Sequence, residues 1–118
     1  MVKIEAIVRV ERIRGVLDAL ADKGLFGVTV YEVKGSGRQK GLVEHYRGLE
    51  IKVNVIPKAK LEIVVKDFRV GEVVDTIKSA ARTGEVGDGL IFLSQVEDVI
   101  RIRTGERGPE VLAELEGR

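Results

Sequence analysis

Apolar and polar residues follow one strand–helix–strand pattern twice along this chain. Residues 3–9 alternate charged and apolar side chains and then become apolar, which favours a largely buried strand. Over residues 12–23 apolar side chains recur at i, i+3, i+4 and i+7, which predicts an amphipathic helix that Gly24 would cap. Residues 28–34 are β-branched and predict a second strand. The helical stripe consists of Ile13, Val16, Leu17 and Leu20.

The same pattern returns at a shift of 57 residues, which indicates one supersecondary unit built twice. The second copy predicts a strand over residues 60–66, a helix over about 68–82 and a strand over about 90–96. Asp67 precedes this helix and is a residue type that caps helix N-termini. The second helical stripe consists of Val70, Val73, Val74 and Ile77.

Two βαβ units in one short chain predict an α+β fold, the ferredoxin-like βαββαβ sandwich. We expect a single domain over residues 1–118, with a four-stranded antiparallel sheet and two helices on one face. Apolar residues make up 44% of the chain and aromatic residues only 4%, so the core is predicted to be aliphatic. Because the helices cover one sheet face, we expect the other face to be apolar and to drive self-association.

Charge and cysteine content exclude several classes of function. Twenty basic and nineteen acidic residues give a net charge of +1, which argues against nucleic-acid binding through bulk charge. Because the chain has no cysteine, it has no disulfide framework, thiolate metal site or cysteine nucleophile. No apolar run approaches the ~20 residues of a membrane span, and we expect no signal peptide. The sequence therefore predicts a cytoplasmic protein that is not integral to a membrane.

The long connection Gly35–Lys58 between the second and third strands is the first candidate for function, since long connections in compact domains are usually functional or mobile. It begins with glycines at 35, 37 and 41, and both Arg38 and Lys40 lie between the last two of these. Such a segment either brings backbone amides to an anion or is an ordinary basic turn, and the motif alone does not decide between them. His45 is the only histidine and lies mid-connection, which favours a solvated side chain over a metal ligand.

Two further segments strengthen the anion-binding interpretation. The loop at residues 82–89 carries three glycines within six positions, more than a turn needs. In the tail, Arg101 and Arg103 alternate with Ile100 and Ile102, so an extended backbone would project both guanidinium groups to one side. Paired arginines suit phosphate binding, although a charged edge strand is the alternative. With two glycine-rich basic loops in the same small domain, phosphate binding is the favoured interpretation.

Enzymes and RNA-binding modules with this fold fit the sequence less well. A histidine phosphotransfer enzyme needs its histidine on a rigid element, and an acylphosphatase-like enzyme needs an Arg–Asn pair, for which Asn54 is the only asparagine. An RNA-recognition sheet presents stacking aromatic residues, and these strands offer only Tyr31 and Phe92.

From Lys3 to about Gly108 the chain resembles the PII signal-transduction proteins, sensors of cellular nitrogen and energy status. The matching motifs are Val33 to Gly41, Tyr46 to Gly48, Pro57-Lys58, Ala80 to Gly89 and Arg101 to Glu106. The resemblance implies a homotrimer that binds ATP or ADP in clefts between subunits, together with Mg²⁺ and the effector 2-oxoglutarate. It implies a regulatory protein rather than an enzyme, with at most a weak ATPase side activity.

The resemblance also implies three named loops and a target. The T-loop corresponds to about residues 36–55, the B-loop to about 82–90 and the C-terminal loop to about 96–108. The T-loop would contact an ammonium transporter, which would recruit the protein to the membrane, or a nitrogen-metabolism enzyme. The alternative is a PII-like nucleotide sensor with another target and no response to 2-oxoglutarate.

Individual site residues carry over by motif. Tyr46 and Arg47 would contact the target, and Gln39 would be the Mg²⁺ ligand. Arg101 and Arg103 would reach in from the neighbouring subunit. The 2-oxoglutarate residues would be Gln39, Lys40, Gly41 and Lys58. The nucleotide residues would be Thr29, Gly35, Gly37, Arg38, Gln39, Val64, Gly87, Asp88, Gly89, Arg101 and Arg103.

Three positions depart from the family pattern. Leu90 replaces a lysine that reaches the distal phosphates, which removes a charge-assisted contact worth about 1.5–3 kcal/mol. Ile51 stands where many bacterial members carry the tyrosine that is uridylylated, and Leu49 where some photosynthetic members carry a phosphorylated serine. Neither modification is chemically available at these two positions, so we expect control by ligand binding alone.

Overall fold

The four strands of the main sheet and both helices follow the order that the repeated sequence pattern predicts, and two further strands lie within the long connection. The computed structural model describes the backbone of residues 1–36, 42–46, 49–53 and 55–116 and the side chains of residues 1–36 and 55–113. Along the chain the elements are β1 (Val2–Val8), α1 (Ile13–Asp22), β2 (Thr29–Ser36), β3 (Leu42–Tyr46), β4 (Leu49–Val53), β5 (Val55–Val65), α2 (Val70–Ala81) and β6 (Gly89–Gln95). Each helix is preceded by a 3₁₀ turn, at 10–12 and 67–69, and a further 3₁₀ segment covers 109–116.

Four strands form one sheet in the order β2-β5-β1-β6, and every neighbouring pair is antiparallel. The central pair, β1 and β5, is the repeated strand paired with its own copy, with Ile4 opposite Ile63. This is the predicted ferredoxin-like arrangement.

One aliphatic core lies between the sheet and both helices. Along β1 buried and half-buried residues alternate, as expected for a strand with one covered face. Val16 and Leu20 of α1 and Val73 and Ile77 of α2 are at most 1% exposed and pack in the same cluster as Ile4. Among the described residues, none of the helices combines the length and apolar character needed to span a bilayer.

The expectation of an apolar open sheet face is wrong at the centre of the sheet. There the outward positions of β1 and β5 carry four charged side chains. The Glu5 carboxylate lies 3.1 Å from both the Lys3 and the Lys60 ammonium groups, and Lys60 also pairs with Glu62 at 3.2 Å. Exposed apolar side chains on this face lie at the two edges of the sheet, at Leu90 and Phe92 of β6 and at Tyr31 of β2.

Only one of the two predicted helix caps is present. Gly24 adopts a φ of 75°, its N–H donates to the Ala21 carbonyl at 2.9 Å, and the Leu25 N–H donates to the Leu20 carbonyl at 3.0 Å. This is the Schellman arrangement that glycine favours. Asp67 does not cap α2, because the 3₁₀ turn places Arg69 at the cap position, where no side-chain bond is made.

The predicted long connection begins as a continuation of the sheet. Strands β2 and β5 stay paired up to Ser36 opposite Val55, beyond the last residue of β1. Within the connection the backbones of β3 and β4 pair antiparallel, with Leu42 opposite Val53. The described part of the connection therefore contains a two-stranded arm, formed by β3 and β4.

Candidate functional site

The predicted ligand-binding residues that the structure describes fall towards two opposite ends of the sheet. Val8 of β1 is paired with Ala59 of β5 on one side and with Gly89 of β6 on the other. Lys58 is the neighbour of Ala59 on β5 and lies opposite Val33 of β2. Thr29 lies opposite Glu62, and Val64 two positions further along β5. At a rise of about 3.3 Å per residue, Lys58 is about 13 Å from the Thr29 row and about 20 Å from Val64. Within one chain, therefore, the two groups do not form one pocket.

Asp88 is the organising residue of the loop between α2 and β6. One carboxylate oxygen accepts from the backbone N–H groups of Thr83 and Gly84, at 2.9 and 2.8 Å. The other oxygen accepts from the Thr83 hydroxyl and from Arg9 Nε, the latter at 3.1 Å. The Thr83 hydroxyl contributes most, ahead of the backbone amides and Arg9, and holds the pKa of Asp88 well below its usual range. Both oxygens are thus used within the loop, so Asp88 shapes the site.

Arg9 is a site residue that the sequence did not single out. It follows the last residue of β1, and its guanidinium reaches Asp88 and also donates from Nη2 to the Val86 carbonyl at 2.9 Å. The end of a core strand therefore anchors the glycine-rich loop at two points. The only signal in the sequence was a lone arginine after an apolar strand, which is equally typical of a solvated strand end.

Lys58 carries a buried positive charge beside the same loop. Its side chain is 8% exposed, and its ammonium donates to the Gly87 carbonyl at 2.6 Å. Burial is the main cause that lowers the pKa of Lys58, and the nearby Arg9 lowers it further, whereas Glu11 and Asp88 act in the opposite direction. A poorly solvated cation of this kind gains more from an approaching anion than an exposed lysine does.

Gly89 brings the loop into close contact with β1. Its φ is 108°, and a Cβ added there would lie 1.7 Å from the Ile7 carbonyl oxygen. Only glycine fits at this junction without displacement of a strand. Leu90, the next residue, is 65% exposed beside the loop, so the position that departs from the family pattern faces outward.

The segment that carries Arg101 and Arg103 is a turn, so the expected extended arrangement of the two arginines is wrong. The Gly105 N–H donates to the Arg101 carbonyl, and the Arg101 N–H donates to the Glu106 carbonyl, both at 2.8 Å. Arg101 Nε lies 3.7 Å from a Glu106 carboxylate oxygen, and Arg103 is exposed. The segment leaves from the Val64 end of the sheet, because the Val96 N–H pairs with the Met1 carbonyl.

Several predicted residues lie outside the described part of the structure. For Tyr46, Leu49 and Ile51 the backbone is described but not the side chain. Among the described residues, no three histidine, aspartate or glutamate side chains are grouped so that they could hold a metal ion. The residues wholly outside are Gly37, Arg38, Gln39, Lys40, Gly41 and Arg47.

This structure defines a class of small α+β proteins. Each is a single ferredoxin-like domain built from a duplicated βαβ unit, with glycine-rich and basic loops at the ends of the sheet. A family model described as nitrogen regulatory protein P-II matches residues 1–106. The chain belongs to this family, whose members are regulators in nitrogen signalling. The resemblance in the sequence is thereby confirmed.

Individual relatives match over nearly the whole chain. The nitrogen regulatory protein P-II of Nostoc punctiforme is 55% identical over 112 residues, which cover 95% of this chain and 100% of that protein. The corresponding protein of Microchaete diplosiphon is 54% identical with the same coverage. The nitrogen regulatory protein P-II 2 of Methanothermobacter thermautotrophicus is 49% identical, over 95% of this chain and 97% of that protein.

Proposed function

We propose that this protein senses nitrogen and energy status as a homotrimer that binds ATP or ADP in clefts between subunits. One observation carries the proposal: the predicted ligand-binding residues that the structure describes lie towards opposite ends of one sheet. A second copy that places its Thr29 and Val64 end against the Lys58 and Gly89 end of the first would bring both groups to one ligand. Each of three identical contacts then completes one site.

In this proposal the two ends contribute different contacts. The Gly87–Gly89 backbone and the Lys58 ammonium line the phosphate side on one subunit, where Asp88 and Arg9 hold the loop in shape. Arg101 and Arg103 of the neighbour approach the same phosphates. Guanidinium groups pair with phosphate oxygens in bidentate fashion, which makes them suited to a site closed by assembly.

The effector 2-oxoglutarate would bind beside the nucleotide phosphates with a Mg²⁺ ion. Mg²⁺ is usually held by few protein ligands together with phosphate oxygens, and Gln39 is the residue proposed for this role. Lys58 is the proposed partner of the effector carboxylate. Its ammonium would then exchange the Gly87 carbonyl for a charged acceptor, which offsets the cost of its burial.

The arm formed by β3 and β4 is the proposed output. Tyr46 and Arg47 lie at its far end in the sequence and would contact an ammonium transporter or a nitrogen-metabolism enzyme. Ligands at Gln39 and Lys58 act on the two ends of the arm. They shift its population only as far as they bind its two states differently. A nucleotide sensor without a 2-oxoglutarate response remains the second candidate, because the hydrophobic Leu90 alters the phosphate side of the site.

Calorimetry and sedimentation test the proposal together. ATP and ADP should bind with and without Mg²⁺, and 2-oxoglutarate should bind only when ATP and Mg²⁺ are present. Arg101→Ala and Arg103→Ala should each weaken nucleotide binding by about 1.5–3 kcal/mol, the scale of a charge-assisted hydrogen bond. Arg14→Ala, an exposed arginine on α1, is the matched control. A stable monomer at micromolar concentration, or wild-type affinity in both arginine variants, contradicts the inter-subunit site.

Retention on an ammonium transporter tests the proposed output. Binding in ADP, in ATP, and in ATP with 2-oxoglutarate and Mg²⁺ should differ, with release only in the last condition. Equal retention in all three would leave the arm without a switching role. Normal nucleotide binding without any effect of 2-oxoglutarate would favour the second candidate.

A further inference from the structure

We propose that Asp98 and Arg107 form a positioning pair that closes the C-terminal loop and so presents Arg101 and Arg103 to the nucleotide. This inference rests on the proposed nucleotide function and assigns a role to two residues that the motifs left unused. Neither side chain is proposed to touch the ligand. Their role is to fix the loop, here residues 99–107, in a single closed shape.

The Asp98 carboxylate joins both ends of this loop. One oxygen accepts from Arg107 Nε at 2.8 Å. The other accepts from the Val99 N–H at 2.8 Å, where the loop begins, and from the Gly108 N–H at 3.1 Å, just after it ends. The Arg107 side chain contributes most to holding the pKa of Asp98 below its usual range, followed by these backbone amides.

We call the three hydrogen bonds that the Asp98 carboxylate accepts the Asp98 clamp. Backbone hydrogen bonds complete the closure of the loop above it. Ile100 and Arg107 form an isolated antiparallel bridge. The Gly108 N–H also donates to the Val99 carbonyl at 3.0 Å, and Gly105 adopts a φ of 77°. Because these bonds close only a short segment, the entropic cost of forming them is small once Asp98 has joined the two ends of the loop. Arg101 and Arg103 therefore lie in a short loop whose two ends are joined through Asp98.

Arg107 has a second, electrostatic role in this arrangement. An unpaired carboxylate at Asp98 would place a negative charge near the proposed phosphate site and oppose the charge of Arg101 and Arg103. Pairing with Arg107 compensates this charge. An ordinary surface ion pair contributes little on its own, because both partners are solvated. The clamp differs because Asp98 also accepts from two backbone amides at the loop ends.

Four variants separate loop closure by Asp98 from charge compensation by Arg107. Calorimetry with ATP and ADP measures the effect of each variant on binding. Asp98→Ala removes the whole clamp and should weaken binding about tenfold, whereas Asp98→Asn keeps an acceptor for the amides and should cost about threefold. Arg107→Ala leaves the carboxylate uncompensated and should weaken binding more than Asp98→Asn does. Adding Asp98→Asn to Arg107→Ala should then recover affinity to the level of Asp98→Asn alone. The matched control, Asp18→Asn on the exposed face of α1, should bind like wild type.

Two further measurements distinguish positioning from a general loss of structure. The oligomeric state of the Asp98 variants should match the control, and their denaturation midpoints should fall only slightly, because the hydrogen bonds that are lost lie within one exposed loop. Amide exchange at Gly105 and Gly108 should be faster in Asp98→Ala, because the base of the loop is open. The penalty of Arg107→Ala should shrink at high salt, since it is a screened charge effect.

The outcomes separate the inference from the function on which it rests. If the wild type binds neither ATP nor ADP, the proposed function fails and the inference with it. If Arg103→Ala weakens binding while Asp98→Ala and Arg107→Ala do not, the nucleotide site stands and the positioning pair is refuted. A double variant that is weaker than Arg107→Ala also refutes it. Should Asp98→Ala not fold, the Asp98→Asn and Arg107→Ala comparison still decides.

Discussion

Replacement of Gly89 by alanine should destabilise the protein more than any comparable change in the same loop. Gly89 is the first residue of β6 and pairs with Val8 of β1. An added Cβ would lie 1.7 Å from the Ile7 carbonyl oxygen, 2.8 Å from its carbonyl carbon and 3.3 Å from the Val8 Cα. All three atoms are backbone, so no flexible side chain can move aside.

The expected magnitude has two parts. A φ of 108° is unfavourable for alanine, and a residue held in a sparsely populated conformation costs about 1–3 kcal/mol. The clash must also be relieved by separation of β1 and β6 at this end. The loss of two ladder hydrogen bonds, at about 0.5–1.5 kcal/mol each, adds about 1–3 kcal/mol. We therefore expect a loss of about 2–6 kcal/mol in the free energy of unfolding.

Gly84→Ala is the matched control. Gly84 lies in the same loop with a φ of 92°, and an added Cβ would meet nothing within 4 Å. It should show the conformational cost alone, about 1–3 kcal/mol. Equilibrium denaturation by urea at one protein concentration measures both variants, and the concentration is held fixed because the proposed assembly would contribute to stability. Equal losses in the two variants would refute the steric argument.

Three further predictions follow from single positions. Gly15→Ala should stabilise the fold by about 0.5–1 kcal/mol in urea denaturation, since Gly15 lies within α1 and an added Cβ meets nothing within 4 Å. The folded state lowers the pKa of Asp88, so its contribution to stability is present above the pKa of the unfolded state, about 3.9, and is lost as pH falls further. The denaturation midpoint of Asp88→Asn should therefore change less with pH below about 4 than that of the wild type. Leu90→Lys should strengthen ATP binding more than ADP binding in calorimetry, and no change for either ligand would mean that the phosphates do not pass residue 90.

The repeat made the scaffold predictable from the sequence. The two helical stripes place Val16 and Leu20, and their counterparts Val73 and Ile77, in the core as expected. The polar open face was also readable in principle, because charged residues alternate with apolar ones at the start of β1 and again in β5. The expectation of an apolar face failed because it followed the overall apolar content of the strands and ignored this alternation.

The interior of the candidate site was less predictable, because its contacts join residues far apart in sequence. Arg9 and Asp88 are 79 residues apart, and Lys58 and Gly87 are 29 apart. No local pattern encodes such pairs; they follow from the register of β1 with its neighbours. The prediction of an extended segment at Arg101 and Arg103 was wrong for a local reason. Alternation of Arg101 with Ile102 is typical of a strand, but Ile102 is fully exposed and buries nothing that would hold the strand.

Duplication itself explains why the candidate site is divided between two ends of the sheet. Thr29 begins β2 and Gly89 begins β6, so these residues start the equivalent strands of the two copies. The two copies run antiparallel in one sheet, which places equivalent ends on opposite sides. In the proposed homotrimer, each chain joins its two ends to those of its neighbours in a head-to-tail contact. Such a contact forms a ring when the rotation closes, and every interface of that ring unites one Thr29 end with one Gly89 end.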